Sequence, residues 1–491
     1  MSTKEPKIAI LSGGTATNDL VPIFSSISGK LSYILPISDN GGSTSELIRV
    51  IGGPAIGDIR SRLTRLIPPT QEYLRNLLSY RLPNNPEQAK REWNHIVEGT
   101  HELWENIDPS TREIFRSFLM HVHVELLKRS KHFFPSNTTK SFRYELANVG
   151  NLFLTGVRLF IGSLDSAVVL FTRLTSIDPN IEVLPCINTN FSYHISALLQ
   201  NGLVITGQSQ ISHPSEPDPI VNHDRLNVQH TRPSTPAEHC DMGYFDMIPK
   251  VTFTETHQSE HYLKNSLSDQ ASLISSDEEE TGNTPSYIHP ALRKSQLHFN
   301  KSDHIQPLLS PIERIFYISP YGEEILPSAY NKVVTSISNS DAIVYSIGSL
   351  MTSIIPIVIL KGVAKAIAND VTYNNAPSKK KILLLNGCND RETFGMQAVD
   401  FIRVIFEMAT HSLNEVRRSG ANSSDINLPI FEWNNFVTHL FYIENGSIPV
   451  DREYLEESKG IQCVAVSSDS QNRYDLDDLK SKLHDLINDI N

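Results

Sequence analysis

Seven short apolar runs constrain this chain more than any other feature. They are KIAILS (7–12), LSYILPI (31–37), IEVLPCI (181–187), DAIVYSI (341–347), KILLLN (381–386), VTHLFYI (437–443) and IQCVAV (461–466). Continuous apolar strands that alternate with helical patterns predict a parallel sheet covered on both faces. The expected fold class is therefore α/β, doubly wound, with a mostly parallel sheet. The stretch GLVITGQSQI (202–211) alternates more and reads as an edge or antiparallel strand.

Two regions interrupt the rhythm. Residues 70–142 read as a helical insertion, with Asn85 capping a helix that starts at Pro86. Ser110 and Glu113 have the spacing of a capping box, followed by Ile114, Phe115, Phe118, Leu119, Val122 and Leu126 at helical intervals. Residues 254–304, which include SDQASLISSDEEETGNTPS, are acidic and serine-rich and predict a disordered loop. The expected organisation is a first part of the core over 1–253, this loop, and a second part with a C-terminal helix over 305–491.

The formal charge is −12 and no long Lys/Arg run occurs. That argues against nucleic acid and anionic membranes as partners. The cysteines, Cys186, Cys240, Cys388 and Cys463, are far apart and read as reduced thiols of a cytoplasmic protein. MSTKEPKIAILSGG reads as a first strand, not a signal peptide. GSLMTSIIPIVILKGVAKAIA contains Pro356, Lys361 and Lys365 and reads as a buried helix, not a membrane span. His121 and His123 look metal-like, yet positions i and i+2 do not share a helix face. Glu238-His239-Cys240-Asp241 reads as a surface turn.

Ligands of open parallel sheets bind beyond the carboxyl ends of the strands, so the strand-to-helix turns are where chemistry is expected. The first is Ser12-Gly13-Gly14-Thr15-Ala16-Thr17-Asn18, whose small residues let backbone N–H groups approach an anion. It is neither a dinucleotide fingerprint nor a P-loop. The second is Asp39-Asn40-Gly41-Gly42-Ser43. Asn-Gly alone would suit a hairpin, but Ser43 and Glu46 have capping-box spacing ahead of Leu47, Ile48, Val50 and Ile51, which favours a helix leaving the turn.

The third turn is Gly57-Asp58-Ile59-Arg60. Asp58 either caps a helix or joins Asp39 in holding Mg²⁺ against phosphate oxygens, with Arg60 or Arg62 supplying charge-assisted bonds. The fourth is Asn148-Val149-Gly150-Asn151, where asparagine caps a helix or reads a base or sugar. The fifth, Gly348-Ser349, is followed one turn later by Thr352 and Ser353.

These segments, in this order, resemble the 2-phospho-L-lactate transferase/YvcK-like (CofD-like) family, nearer its gluconeogenesis-factor branch. The likeness rests on Gly13-Gly14-Thr15, Asp39-Asn40-Gly41-Gly42-Ser43, Gly57-Asp58-Ile59-Arg60, Gly150-Asn151-Leu152 and the run from Gly348-Ser349 to Pro356. It implies a Rossmann-like sheet with a nucleotide in the cleft. The transferase branch moves a phospholactyl group from a guanosine-diphosphate-activated donor to a deazaflavin alcohol, its magnesium held by aspartates matching Asp39 and Asp58. The other branch binds UDP-sugars and is regulatory. Here Ser12 and Ala16 replace two glycines of the family's first turn, and Ala16 adds a Cβ where a positive φ is expected. Ser38-Asp39-Asn40 carries one carboxylate where the family commonly has two, and Ser346-Ile347 precedes Gly348-Ser349. Asn386 and Glu392-Thr393 match a later family pattern.

The leading expectation is a protein that binds a nucleotide diphosphate of the UDP-sugar kind, with Mg²⁺ as cofactor and a regulatory role in carbon or cell-wall-type metabolism. Gly13, Gly14, Thr15 and Asn18, then Asn40, Gly41, Gly42 and Ser43, then Gly348 and Ser349 would cradle the ligand. Asp39 and Asp58 would hold the metal, Arg60 would neutralise phosphate, and Asn148 and Asn151 would read the nucleoside. Two other readings stay open. One is a Mg-dependent transferase acting on a nucleotide-diphosphate-activated donor, with Asp39 and Asp58 as catalytic groups. The other is a scaffold recruiting a protein partner through 254–304; a homodimer also stays open.

Overall fold

The computed structural model describes residues 5–38, 41–131, 141–212, 307–368, 379–420 and 431–488. The acidic loop expected at 254–304 and the Glu238–Asp241 cluster lie outside them, as do Asp39 and Asn40.

The described strands are β1 (Lys7–Leu11), β2 (Lys30–Leu35), β3 (Ile181–Pro185), β4 (His194–Leu199), β5 (Val204–Thr206), β6 (Ile312–Ile318), β7 (Glu324–Ile325), β8 (Ala342–Tyr345), β9 (Lys380–Leu384), β10 (His439–Ile443) and β11 (Gln462–Val466). The seven apolar runs become one parallel sheet in the order β11-β10-β9-β8-β1-β2-β3. Strand side chains alternate between two helical layers. Ile8, Ile10, Ala342 and Val344 pack with Phe24, Leu479 and Leu483 of the helices Val21–Ile27 and Leu476–Asn488. Ala9, Leu11, Ile343 and Tyr345 pack with Ile59, Leu63, Val333 and Ile355 on the other face. The fold is α/β and Rossmann-like.

The chain leaves β1 outward through β2 to β3, then returns to the far side of β1 and runs outward again from β8 to β11. The direction of winding therefore reverses between β1 and β8. In open sheets this reversal parts the flanking loops and creates the ligand crevice. Between the two halves lies a second, antiparallel sheet, β5-β4-β6-β7. Of the stretch expected as an edge or antiparallel strand over 202–211, residues 204–206 form the edge of this sheet, whereas Gln208–Ser212 is helical.

The helical insertion holds the helices Glu72–Ser79, Pro86–Glu98 and Pro109–Lys131. Asn85 accepts the Gln88 N–H as cap, with Pro86 in the first turn. The second start differs from expectation. Asp108, not Ser110, receives the Thr111 N–H, because Pro109 at the first helical position moves the cap back by two residues. Glu113 is then free to pair with Arg116 at 2.7 Å.

The apolar stretch after β8 is buried, but it is not one helix. A π-turn at Leu350–Ile354 leads into Ile355–Val358; the chain then opens at Lys361, whose N–H and carbonyl bond across to Pro327 and Ala329, and a new helix covers Val363–Ala368. Gly362, at φ +96°, makes that break. No described helix is long and apolar enough to cross a membrane. Cys186, Cys388 and Cys463 are free thiols. His123 serves the core, accepting the Trp93 indole N–H at 2.9 Å.

Candidate functional site

The turn after β1 and the turn after β8 meet at the reversal point. Thr17 Oγ1 lies 3.0 Å from Ser346 Oγ and 3.1 Å from the Ile347 carbonyl, bonding the two turns together. Gly13 and Gly14 are glycine because of crowding, not backbone angle, since neither has a positive φ. A Cβ on Gly14 would meet the Asp58 Cα at 2.5 Å, and one on Gly13 would meet Ser353 Oγ at 2.7 Å. The turn is thus wedged between the start of the helix Gly57–Leu66 and the residues that follow Ser349. Ala16 shows no positive φ, so the expected strain at that substitution is absent: it opens a short 3₁₀ turn, Ala16–Leu20.

The helix Gly57–Leu66 carries three groups toward the turn. Ser61 Oγ donates to the Gly14 carbonyl at 3.1 Å and accepts from Asn18 Nδ2 at 2.9 Å. Arg62, fully buried, donates to the Gly13 carbonyl at 3.2 Å and lies 4.7 Å over the Tyr33 ring. Burial lowers its pKa to about 10, with the Tyr33 and Asp58 charges opposing the shift. Burial likewise lowers Arg60 to about 10, helped by the Arg81 charge and opposed by Asp58. Asp58 is therefore the carboxylate that acts on both arginines. It does not cap its helix, whose N-cap is Ile56.

Ser43, Arg60, Asn148 and Asn151 form one network beside this. A helix does leave the Asn-Gly turn, over Gly42–Val50, with Gly42 at φ +54° and Gly41 as its N-cap. The capping box is not made, because both of its members are taken elsewhere. Ser43 Oγ accepts the Asn148 N–H and Asn151 Nδ2, each at 3.1 Å. Buried Glu46 binds Arg49 and the Arg143 N–H. Asn151 Oδ1 accepts Arg60 Nε at 3.1 Å. Of the two readings open for Asn148, its bonds display the cap: Oδ1 accepts the Gly150 and Asn151 N–H groups, and Nδ2 donates to the Ser79 carbonyl. A Cβ on Gly150 would run into the Leu78 carbonyl and lie 3.0 Å from the Arg60 side chain, so both crowd this turn.

Gly348, at φ +135°, is held from outside by the amide of Asn386. Ser349 caps the next turn by accepting the Thr352 N–H at 3.0 Å. Around Ser349 lies a group that sequence spacing did not reveal as a unit. The Glu392 carboxylate accepts from Ser349 Oγ, from Thr352 Oγ1 at 2.8 Å and from Ser212 Oγ at 2.5 Å. Burial, followed by the Asp390 charge, raises the Glu392 pKa, and the three hydroxyl bonds oppose that shift. Asn386 and Glu392 were visible in the sequence only as a family-like pattern, and Ser212 carried no signal at all.

Gly13 and Gly14 thus meet Asp58 and Asn18 meets Ser61, while Ser43 meets Asn148 and Asn151, and through Asn151 is linked to Arg60. Gly348 and Ser349 meet Asn386 and Glu392. Thr15, exposed, makes no side-chain cap bond. Among the described residues no cluster of three His, Cys, Asp or Glu side chains is placed to hold a metal.

The family model described as 2-phospho-L-lactate transferase CofD matches residues 8–473. The chain is 44% identical over 466 residues to Uncharacterized protein YNL011C of Saccharomyces cerevisiae, covering 94% of this chain and 95% of that one. Two crystal structures of protein BH3568 from Bacillus halodurans, one described as a member of the UPF0052 family, align over 99% of each chain. Their identities are 14% and 15%, with TM-scores of 0.51 and 0.53, a likeness of fold. The chain belongs to the 2-phospho-L-lactate transferase CofD family.

Proposed function

We propose that this protein binds a nucleoside diphosphate of the UDP-sugar class at the β1–β8 reversal, as a cytoplasmic regulator of carbon or cell-wall-type metabolism. The observation that carries the reading is the wedged Gly13-Gly14 turn at this point of the sheet, with Asp58, Arg60 and Arg62 on one helix beside it. The diphosphate would lie along Gly13–Thr15 and reach Gly41–Ser43 and Gly348-Ser349. Magnesium takes one or two carboxylates together with water and phosphate oxygens, so Asp58 suits one such position and Asp39 is proposed for the other. Arg60 would meet phosphate from the position Asn151 gives it, while Asn148 would act by holding the helix start. Calorimetry with UDP-sugars and GDP, with and without Mg²⁺, tests the reading. Binding of one of them, strengthened by Mg²⁺ and weakened in Asp58→Asn, is expected; silence toward all of them would overturn it.

A second reading is a Mg-dependent transferase, favoured by Glu392. A buried carboxyl with a raised pKa beside a ligand turn is suited to proton transfer. Release of nucleotide from an activated donor, abolished in Asp58→Asn and Glu392→Gln, would select this reading over simple binding.

A further inference from the structure

A polar hollow of about 340 Å³ lies at the other end of the helix Val149–Ile161. Arg158 is ten residues beyond Asn148, about 15 Å along the helix at about 1.5 Å per residue. The hollow's polar lining is His121, Glu125, Arg129, Arg158 and Asn190.

Arg158 is only 3% exposed. Its Nη2 donates to the Gly52 carbonyl at 3.1 Å, while Nε and Nη1 are buried without a hydrogen-bond partner among the described residues. Among the described residues no carboxylate pairs with it. Burial, and then the charge of Arg129, bring it down to about 10. Arg129 donates to the Ile51 carbonyl at 2.7 Å, and its Nε stands 3.9 Å from Glu125. Glu125 is paired more closely with Lys128, at 2.8 Å, so it serves Arg129 in part and Arg158 not at all, and a buried cation without a counter-charge is costly. The backbone makes room for this arrangement. Gly52 and Gly53 have φ of +76° and +99°, and a Cβ on Gly53 would lie 2.6 Å from Arg158 Nη2. Asn190 donates Nδ2 to the Gly162 carbonyl at 2.6 Å, which leaves its Oδ1 as a buried acceptor with no partner among the described residues.

We propose that this hollow is an anion site in which Arg129 and Arg158 bind a phosphate group, free or esterified on a small hydroxyl-bearing molecule. A guanidinium fork pairs with phosphate as it does with carboxylate, but a phosphate has more oxygens and up to two negative charges, and so can engage both arginines at once. Asn190 Oδ1 and Glu125 are acceptors suited to hydroxyls on the same ligand. The site is independent of the nucleotide reading, because it uses none of the residues at the β1–β8 reversal.

The test is calorimetry on the full chain at fixed ionic strength, with inorganic phosphate, glycerol 3-phosphate and succinate as probes. Asp58→Asn serves as the background in which the reversal-point site is impaired. The expected result is one phosphate or glycerol 3-phosphate per chain, kept in Asp58→Asn and weakened about tenfold or more in Arg129→Gln and in Arg158→Gln. Should Arg158→Gln fail to fold, Arg129→Gln decides alone. Tighter glycerol 3-phosphate identifies an ester, and equal affinity identifies free phosphate; either supports the site. No phosphate binding, binding unchanged in Arg129→Gln, or succinate bound as tightly as phosphate would overturn it.

Discussion

The side-chain amide of Asn386 brackets Gly348, accepting its N–H at 3.0 Å and donating to its carbonyl at 2.7 Å. The turn after β8 is thus held by the strand next to it, β9, which ends at Leu384. Asn386→Asp keeps the size and the acceptor but sets a carboxylate oxygen against the Gly348 carbonyl. A loss of about 1–3 kcal/mol in urea unfolding is expected, with weaker nucleotide binding. An unchanged midpoint would show that the bracket contributes nothing.

Gly14 and Gly42 are glycines for different reasons, and alanine separates them. Gly42→Ala meets no atom of the described residues within 4 Å but must hold a left-handed φ of +54°, which costs about 1–2 kcal/mol. Gly14→Ala drives a methyl into the Asp58 backbone and should lie at about 3 kcal/mol, the upper end for overpacking. Denaturant midpoints that reverse this order would remove the crowding argument.

Ser43→Ala removes one oxygen and strands two buried donors, the Asn148 N–H and Asn151 Nδ2. Each such donor costs about 1–3 kcal/mol when left unpaired. Because Asn151 also positions Arg60, affinity for a nucleotide diphosphate should fall with stability. Unfolding and calorimetry on the same variant check both.

Glu392 gives stability a defined dependence on pH. Its folded pKa is raised above the ordinary 4.5, so its contribution is fully present below pH 4.5 and is lost as pH rises through the folded value. Glu392→Gln, which mimics the protonated form, should flatten that decline above pH 4.5 in unfolding series. A wild-type slope kept in the variant would assign it to other groups.

His194 works in the opposite sense. Burial depresses it from 6.5 to about 4, and its Nδ1 has no hydrogen-bond partner among the described residues. Its stabilisation is present above pH 6.5 and lost as pH falls toward 4, about 3 kcal/mol for a shift of this size. Unfolding of His194→Gln between pH 7 and 4 should lose less stability than the wild type does.

The parallel sheet was legible because its strands are covered on both faces and read as unbroken apolar runs. The antiparallel sheet was mostly hidden. β4 places His194 and Ser196 in buried positions, and its main partner β6 lies more than a hundred residues away, so no hairpin signal joins them. The glycine turns were visible, yet the cause of Gly14 is Asp58, far along the chain. Ser43 and Glu46 had the right spacing for a cap, but tertiary partners outcompeted the local bond. The Glu392 cluster draws Ser212, Ser349 and Thr352 from two distant segments, which no local pattern reports.

The pairing of β1 with β8 also governs when the protein can be finished. Lys7 and Asp341, joined at the base of these strands, are 334 residues apart. At ribosomal speeds of about 5–20 residues per second, β1 waits on the order of tens of seconds for its neighbour. During that interval one side of what becomes a central strand is an open edge, the kind of surface that recruits foreign strands. Such long-range closure also slows folding. The nascent chain therefore carries an aggregation hazard at the strand that becomes the middle of its sheet, and the arrival of residues 342–345 removes it.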